Sequence, residues 1–184
     1  MSPEQDGAQK RSGRLKDYDY AQAGAYFVTL VTWQRDCVFG EIVNETMHLN
    51  ELGKTADKCW RSIPEHFPYV ELGAYVVMPN HLHGILVIHD AGRATGRLRL
   101  HEESNDIPHR INIKPGILSA VVRSVRSTVS YRTSQEHDAL GIWQRNYYEH
   151  VIHNEREMDT IWRFIEANPA QWDKDDENPA NIPE

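Results

Sequence analysis

The sequence predicts an α+β fold, with helices packed against a mainly antiparallel sheet. Three observations carry this. "AYFVTLVTW" (25–33) is rich in β-branched and aromatic residues, as strands are. "YVVM" and "GILVI" are apolar runs that bracket Pro79-Asn80, which reads as two strands joined by a tight turn. Two segments with helical periodicity, after Asn50 and after Pro115, make a strand–helix–strand pattern occur twice.

The elements follow in order. Residues 1–20 read as a flexible N-terminal arm, and residues 21–172 as a single domain. "CVFGEIV" (37–43) is expected to pair with the first strand as a hairpin through "QRD". Asn50 is a candidate N-cap for a helix whose apolar positions are Leu52, Ala56, Cys59, Trp60 and Ile63, bounded by Pro64 and Pro68. "YVELGAYVVM" and "HLHGILVI" are the next two strands. Residues 89–112 lack periodicity and read as a long loop.

Pro115 suits the first turn of a second helix. Leu118, Val121, Val122, Val125 and Val129 form its apolar stripe, and Ser119, Arg123, Arg126, Ser127 and Ser130 the opposite one. "IWQRNYYEHVI" (142–152) reads as a strand with Trp143, Arg145, Tyr147, Glu149 and Val151 on one face. "NEREMDTIWRFIEAN" (154–168) is a last helix, capped by Asn154 and ended by Pro169. Residues 173–184 form an acidic tail.

The chain's 184 residues suffice for one real core. No run is apolar for the length of a membrane span, and the N-terminus lacks the apolar centre of a signal peptide. Cys37 and Cys59 form no disulfide or metal pattern, so a cytoplasmic protein with free thiols is the simplest expectation. The net charge is −7, but its distribution is uneven. Ile107–Gln135 holds no acidic residue and contains Arg110, Lys114, Arg123, Arg126 and Arg132; the arm adds Lys10, Arg11, Arg14 and Lys16. A locally basic surface suits phosphate oxygens, and is equally what a solvated helix face looks like.

His81-Leu82-His83 is the densest chemical signal. Strand side chains alternate, so the two imidazoles leave one face of a sheet, close enough to share a ligand. Leu82 is expected on the other face, with Ile85 and Val87. Two imidazoles are too few for a metal centre, so a further ligand must come from elsewhere.

In order, "YFVTLVTWQRDCVFGEI", "YVVMPNHLHGILVI", "LSAVVRSVRSTVS", "WQRNYYEHVIHNERE" and "IEANPAQW" resemble the single-tyrosine transposases of the HUH (His–hydrophobic–His) superfamily, most closely the REP-associated tyrosine transposases. The resemblance runs from about Tyr26 to Trp172. It implies a ferredoxin-like (RRM-like) sheet with packed helices, and a metal held by His81, His83 and Asn168, commonly Mg²⁺ or Mn²⁺. It also implies a last-helix tyrosine that attacks a single-stranded DNA phosphodiester to give a 5′-phosphotyrosine. The implied partner is single-stranded DNA with a hairpin, of REP or insertion-sequence-end type, in the nucleoid of a prokaryotic cell. Both monomers and homodimers occur among such proteins. Lys114, Arg123, Arg126, Arg145 and Arg14 are the candidate DNA contacts.

At the nucleophile position stands Phe164, which has no oxygen to attack phosphorus. Three readings follow: an introduced Tyr-to-Phe change, a naturally inactive relative that still binds DNA, or another tyrosine, Tyr147 or Tyr148, in its place. On the residues alone, Phe164 is also a candidate core residue beside Ile161 and Ile165, and Asn168 a helix cap. Two further functions compete with nicking and joining. One is a DNA-hairpin binder without catalysis. The other is a hydrolase whose His-x-His pair activates water, for which no further His, Asp or Glu shows convincing spacing.

Overall fold

The computed structural model describes residues 23–89, 116–136 and 141–182. Four strands form an antiparallel sheet in the order β4-β5-β1-β6: β1 (Gly24–Val31), β4 (Val70–Val77), β5 (His81–Ile88) and β6 (Tyr148–Ile152). With α1 (Glu51–Arg61) and α3 (Ile117–Glu136) as crossovers, the chain runs β-α-β-β-α-β, the ferredoxin-like pattern. A four-residue helix α2 (Ile63–His66) follows α1, and α4 (Glu155–Ala167) follows β6.

The α+β expectation therefore holds, and so do most element positions. Asn50 accepts from the Gly53 N–H at 2.9 Å and starts α1; Asn154 accepts from the Glu157 N–H at 2.9 Å and starts α4. Pro64 does not end a helix but opens α2, at a position where its missing N–H costs no bond. Pro115 lies outside the described residues, as does the expected loop apart from His89.

Three expectations fail. Residues 37–43 do not pair with β1. Instead β2 (Gly40–Val43) pairs with β3 (Thr46–Leu49) as a separate ribbon. Its turn residues Asn44 and Glu45 have φ of 51° and 62°, as a two-residue hairpin requires. The last strand is shorter than 142–152: Trp143 makes only an isolated bridge to Thr32, and regular pairing begins at Tyr148. Finally, Leu82 does not share a face with Ile85 and Val87. Strict alternation sends Leu82, Gly84, Leu86 and Ile88 one way and His81, His83, Ile85 and Val87 the other.

The two sheet faces have different cores. Leu82, Leu86, Val28 and Leu30 pack under α1 and α3, with all five expected apolar positions of α3 buried. Gly84 is needed here: a Cβ would meet Trp60 Cζ2 at 2.2 Å. On the opposite face Phe27, Ile85 and Ile152 pack with Ile165 of α4. The histidine face is thus only partly roofed, because α4 covers one end of the sheet and leaves the other to the C-terminal segment.

Candidate functional site

His81 and His83 open β5 on the α4 side, with ring centroids 4.4 Å apart and both side chains buried. Asn80, fully buried in the preceding turn, sets the His81 ring. Its Nδ2 donates to the Arg35 carbonyl at 3.0 Å and the Glu177 carbonyl at 2.7 Å. That leaves Oδ1, 2.8 Å from His81 Nδ1, as an acceptor, so Nδ1 carries the proton and Nε2 the lone pair. His83 Nδ1 is 2.8 Å from the Thr29 hydroxyl, and its ring lies against Phe27 and Phe164 at centroid distances of 5.3 and 5.2 Å.

The last helix delivers the next two residues. Phe164 and Asn168 are one turn apart and line the same cleft of about 510 Å³ with His83 and Tyr148. Phe164 is not a core residue: it is 44% exposed, whereas Ile165 beside it is 1% exposed. Asn168 does occupy the helix C-cap, yet its side chain is buried and turned into the site.

A further residue was invisible in the sequence. The stretch read as a tail lies against the sheet: Pro169–Lys174 forms a 3-10 turn, and Asp175 sits beneath the cleft with its side chain 5% exposed. Asp175 Oδ2 accepts from Asn168 Nδ2 at 2.7 Å and stands 3.8 Å from His81 Nε2. A carboxylate can only accept, so this bond fixes which way the Asn168 amide points. The carboxylate for which spacing offered no signal is thus present. It lies seven residues past Asn168 in an acidic run that looks like any solvated terminus.

These residues fit a divalent cation. His81 Nε2 and Asn168 Oδ1 are buried and have no hydrogen-bond partner among the described residues, a costly state for two acceptors unless something else meets them. Ligand atoms of His81, His83 and Asp175 all lie within 4.8 Å of one another, about twice a metal–oxygen bond length. Burial lowers the His81 pKa against the opposing negative charges of Asp175 and Glu177; burial, with His81 beside it, holds His83 well below the ordinary histidine range. Both rings are therefore held in the neutral, ligating form.

The other candidates divide. Arg123, Arg126 and Arg145 line a groove of about 470 Å³ between α3 and residues 141–149, on the face away from the histidines. Within it Arg126 donates to the carbonyls of Gln144 and Arg145 while Trp143 Nε1 donates to the Arg126 carbonyl, so Arg126 clamps the segment before β6. Arg123 and Arg145 are exposed. Tyr147 reaches Ser119 in this groove, while Tyr148 lies on the histidine face against Phe27. His89 pairs with Glu71 at the far end of β5, and His150 with Glu157. Arg14 and Lys114 lie outside the described residues.

Comparison with known proteins bears on the fold. No protein-family model matches the chain. It is 36% identical over 166 residues to a Haemophilus influenzae protein of unassigned function, covering 90% of this chain and 91% of that one. It is 24% identical over 154 residues to a second H. influenzae protein described as a candidate REP-associated tyrosine transposase, covering 83% of this chain and 74% of that one. A solved REP-associated tyrosine transposase bound to a REP hairpin has the same fold, with a TM-score of 0.56 at 17% identity over 86% of this chain and 73% of that one. With the sheet order, these likenesses show that the chain has the fold of that solved transposase, and its sequence is similar to a candidate REP-associated tyrosine transposase.

Proposed function

We propose that the chain binds single-stranded DNA beside a hairpin, with a divalent cation, Mg²⁺ or Mn²⁺, between His81, His83 and Asn168. It acts in the cytoplasm of a prokaryotic cell, at the nucleoid. The observation that carries the reading is the pair of buried acceptors, His81 Nε2 and Asn168 Oδ1, that have no hydrogen-bond partner among the described residues, beside a cleft lined by Phe164. The solved relative's hairpin supports the choice of DNA. When bound, the cation would supply positive charge to polarise a non-bridging phosphate oxygen. Asn80 and Thr29 hold the two imidazoles in register for it. Phe164 offers a face on which a base can stack, but no hydroxyl, so phosphotyrosine chemistry from α4 is absent in this chain. Arg123 and Arg145 contact backbone phosphates, with Arg126 organising their groove; Arg14 and Lys114 join them on sequence charge alone.

The test compares this chain with Phe164→Tyr on hairpin single-stranded DNA with Mn²⁺, by mobility shift and on denaturing gels. Both proteins should bind the hairpin over plain duplex, and only Phe164→Tyr should form a covalent adduct. Hairpin binding no tighter than duplex binding would overturn the reading. An adduct on the unsubstituted chain would move the nucleophile elsewhere, to Tyr148 first because it shares the cleft. Cleaved DNA with free 5′-phosphates and no adduct would favour the hydrolase.

A further inference from the structure

We infer that Asp175 is itself a cation ligand, so that the centre is a set of two imidazoles, one amide and one carboxylate completed by the C-terminal segment. The inference rests on the cation site proposed above and adds a donor that neither the motif nor the helix carrying Asn168 supplies.

The two carboxylate oxygens of Asp175 have different tasks. Oδ1 accepts from the Glu177 N–H at 2.7 Å, which fixes the group's rotation. Oδ2 is thereby turned inward, 3.8 Å from His81 Nε2 and 2.7 Å from Asn168 Nδ2. The amide bond uses one lone pair of Oδ2 and leaves a second for a cation. The donors are then two buried ring nitrogens, one neutral oxygen and one anionic oxygen. That mixture suits a hard divalent ion with nitrogen tolerance, such as Mn²⁺, and leaves positions for phosphate oxygens.

The segment that brings Asp175 is fastened to the same ring from the other side. The Glu177 carbonyl accepts from Asn80, whose Oδ1 accepts from His81, and Glu177 pairs with Arg35 at 2.8 Å. His81 is therefore bracketed by residues 175–177 through both of its ring nitrogens. A cation joining Asp175 to the histidines would tighten residues 169–182 against β5, linking ion binding to the order of the C-terminal segment.

The experiment is Mn²⁺ titration by calorimetry on the full chain without DNA, with hydrogen exchange of residues 169–182 read in parallel. Asp175→Asn should weaken Mn²⁺ binding by about tenfold or more, while Asp173→Asn, which removes the same charge from an exposed position, should change it less than about twofold. Mn²⁺ should slow exchange at the Glu177 amide in the unsubstituted chain. Equal affinity in Asp175→Asn, or unchanged exchange on ion binding, would overturn the inference. His83→Ala separates it from its foundation. If His83→Ala leaves Mn²⁺ binding intact, the cation site itself is wrong. If His83→Ala abolishes binding and Asp175→Asn does not, only the role of Asp175 fails.

Discussion

Asn80→Ala should be more damaging than the loss of any one ligand. The Asn80 side chain is fully buried and satisfies three groups: the Arg35 carbonyl, the Glu177 carbonyl and His81 Nδ1. Truncation strands all three in a site too enclosed for easy hydration. At about 1–3 kcal/mol for each stranded buried group, less whatever water recovers, the cost is about 3–5 kcal/mol. For a chain this size that lowers Tm by roughly 6–20 °C. The His81 ring also loses the partner that selects its tautomer, so Mn²⁺ affinity should fall about 10–100-fold. Urea unfolding measures the first effect and calorimetric titration the second. A loss below about 1 kcal/mol with unchanged Mn²⁺ binding would refute the idea that Asn80 organises the centre.

Further outcomes follow from the same geometry. Gly84→Ala should destabilise by about 1–3 kcal/mol or more in urea unfolding, because the new methyl enters the Trp60 ring; a neutral result would mean that α1 shifts freely. Phe164→Tyr should leave stability within about 0.5 kcal/mol, since Phe164 is half-exposed, so any gain of adduct would not reflect refolding. The pH response has a definite sign. Burial lowers both site histidines in the folded chain, so below about pH 6.5 the unfolded chain binds more protons. Stability of the metal-free protein should be full above that value and decline as pH falls toward the folded pKa values. His83→Gln, neutral throughout, should decline less between about pH 7 and 5 in urea midpoints; parallel curves would contradict the burial argument.

Local rules carried the sequence a long way. Alternation and apolar runs mark β1, β4 and β5, caps mark α1 and α4, and the valine stripe of α3 is buried as its spacing predicts. The His81–His83 juxtaposition is equally local, because residues two apart on a strand must share a face. Asn168 and Phe164 share a face for the analogous helical reason. Where short-range signals were ambiguous they misled. The apolar run 37–43 gives no indication of which partner it takes, and the turn that decides it, Asn44-Glu45, lacks the usual glycine.

Tertiary structure alone decided three matters. It made Phe164 a cleft residue and Ile165 the core residue, although both are apolar neighbours, because α4 meets the sheet along only one narrow stripe. It parted Tyr147 from Tyr148, sending one to the arginine groove and the other to the histidine face. And it folded an acidic terminus onto the histidines. The sequence by itself fixes what each short segment wants to be and which of its side chains travel together. It does not fix which distant segments meet, because Asn80, Asp175 and Glu177 are joined by hydrogen bonds across nearly a hundred positions, and such bonds leave no periodicity to read.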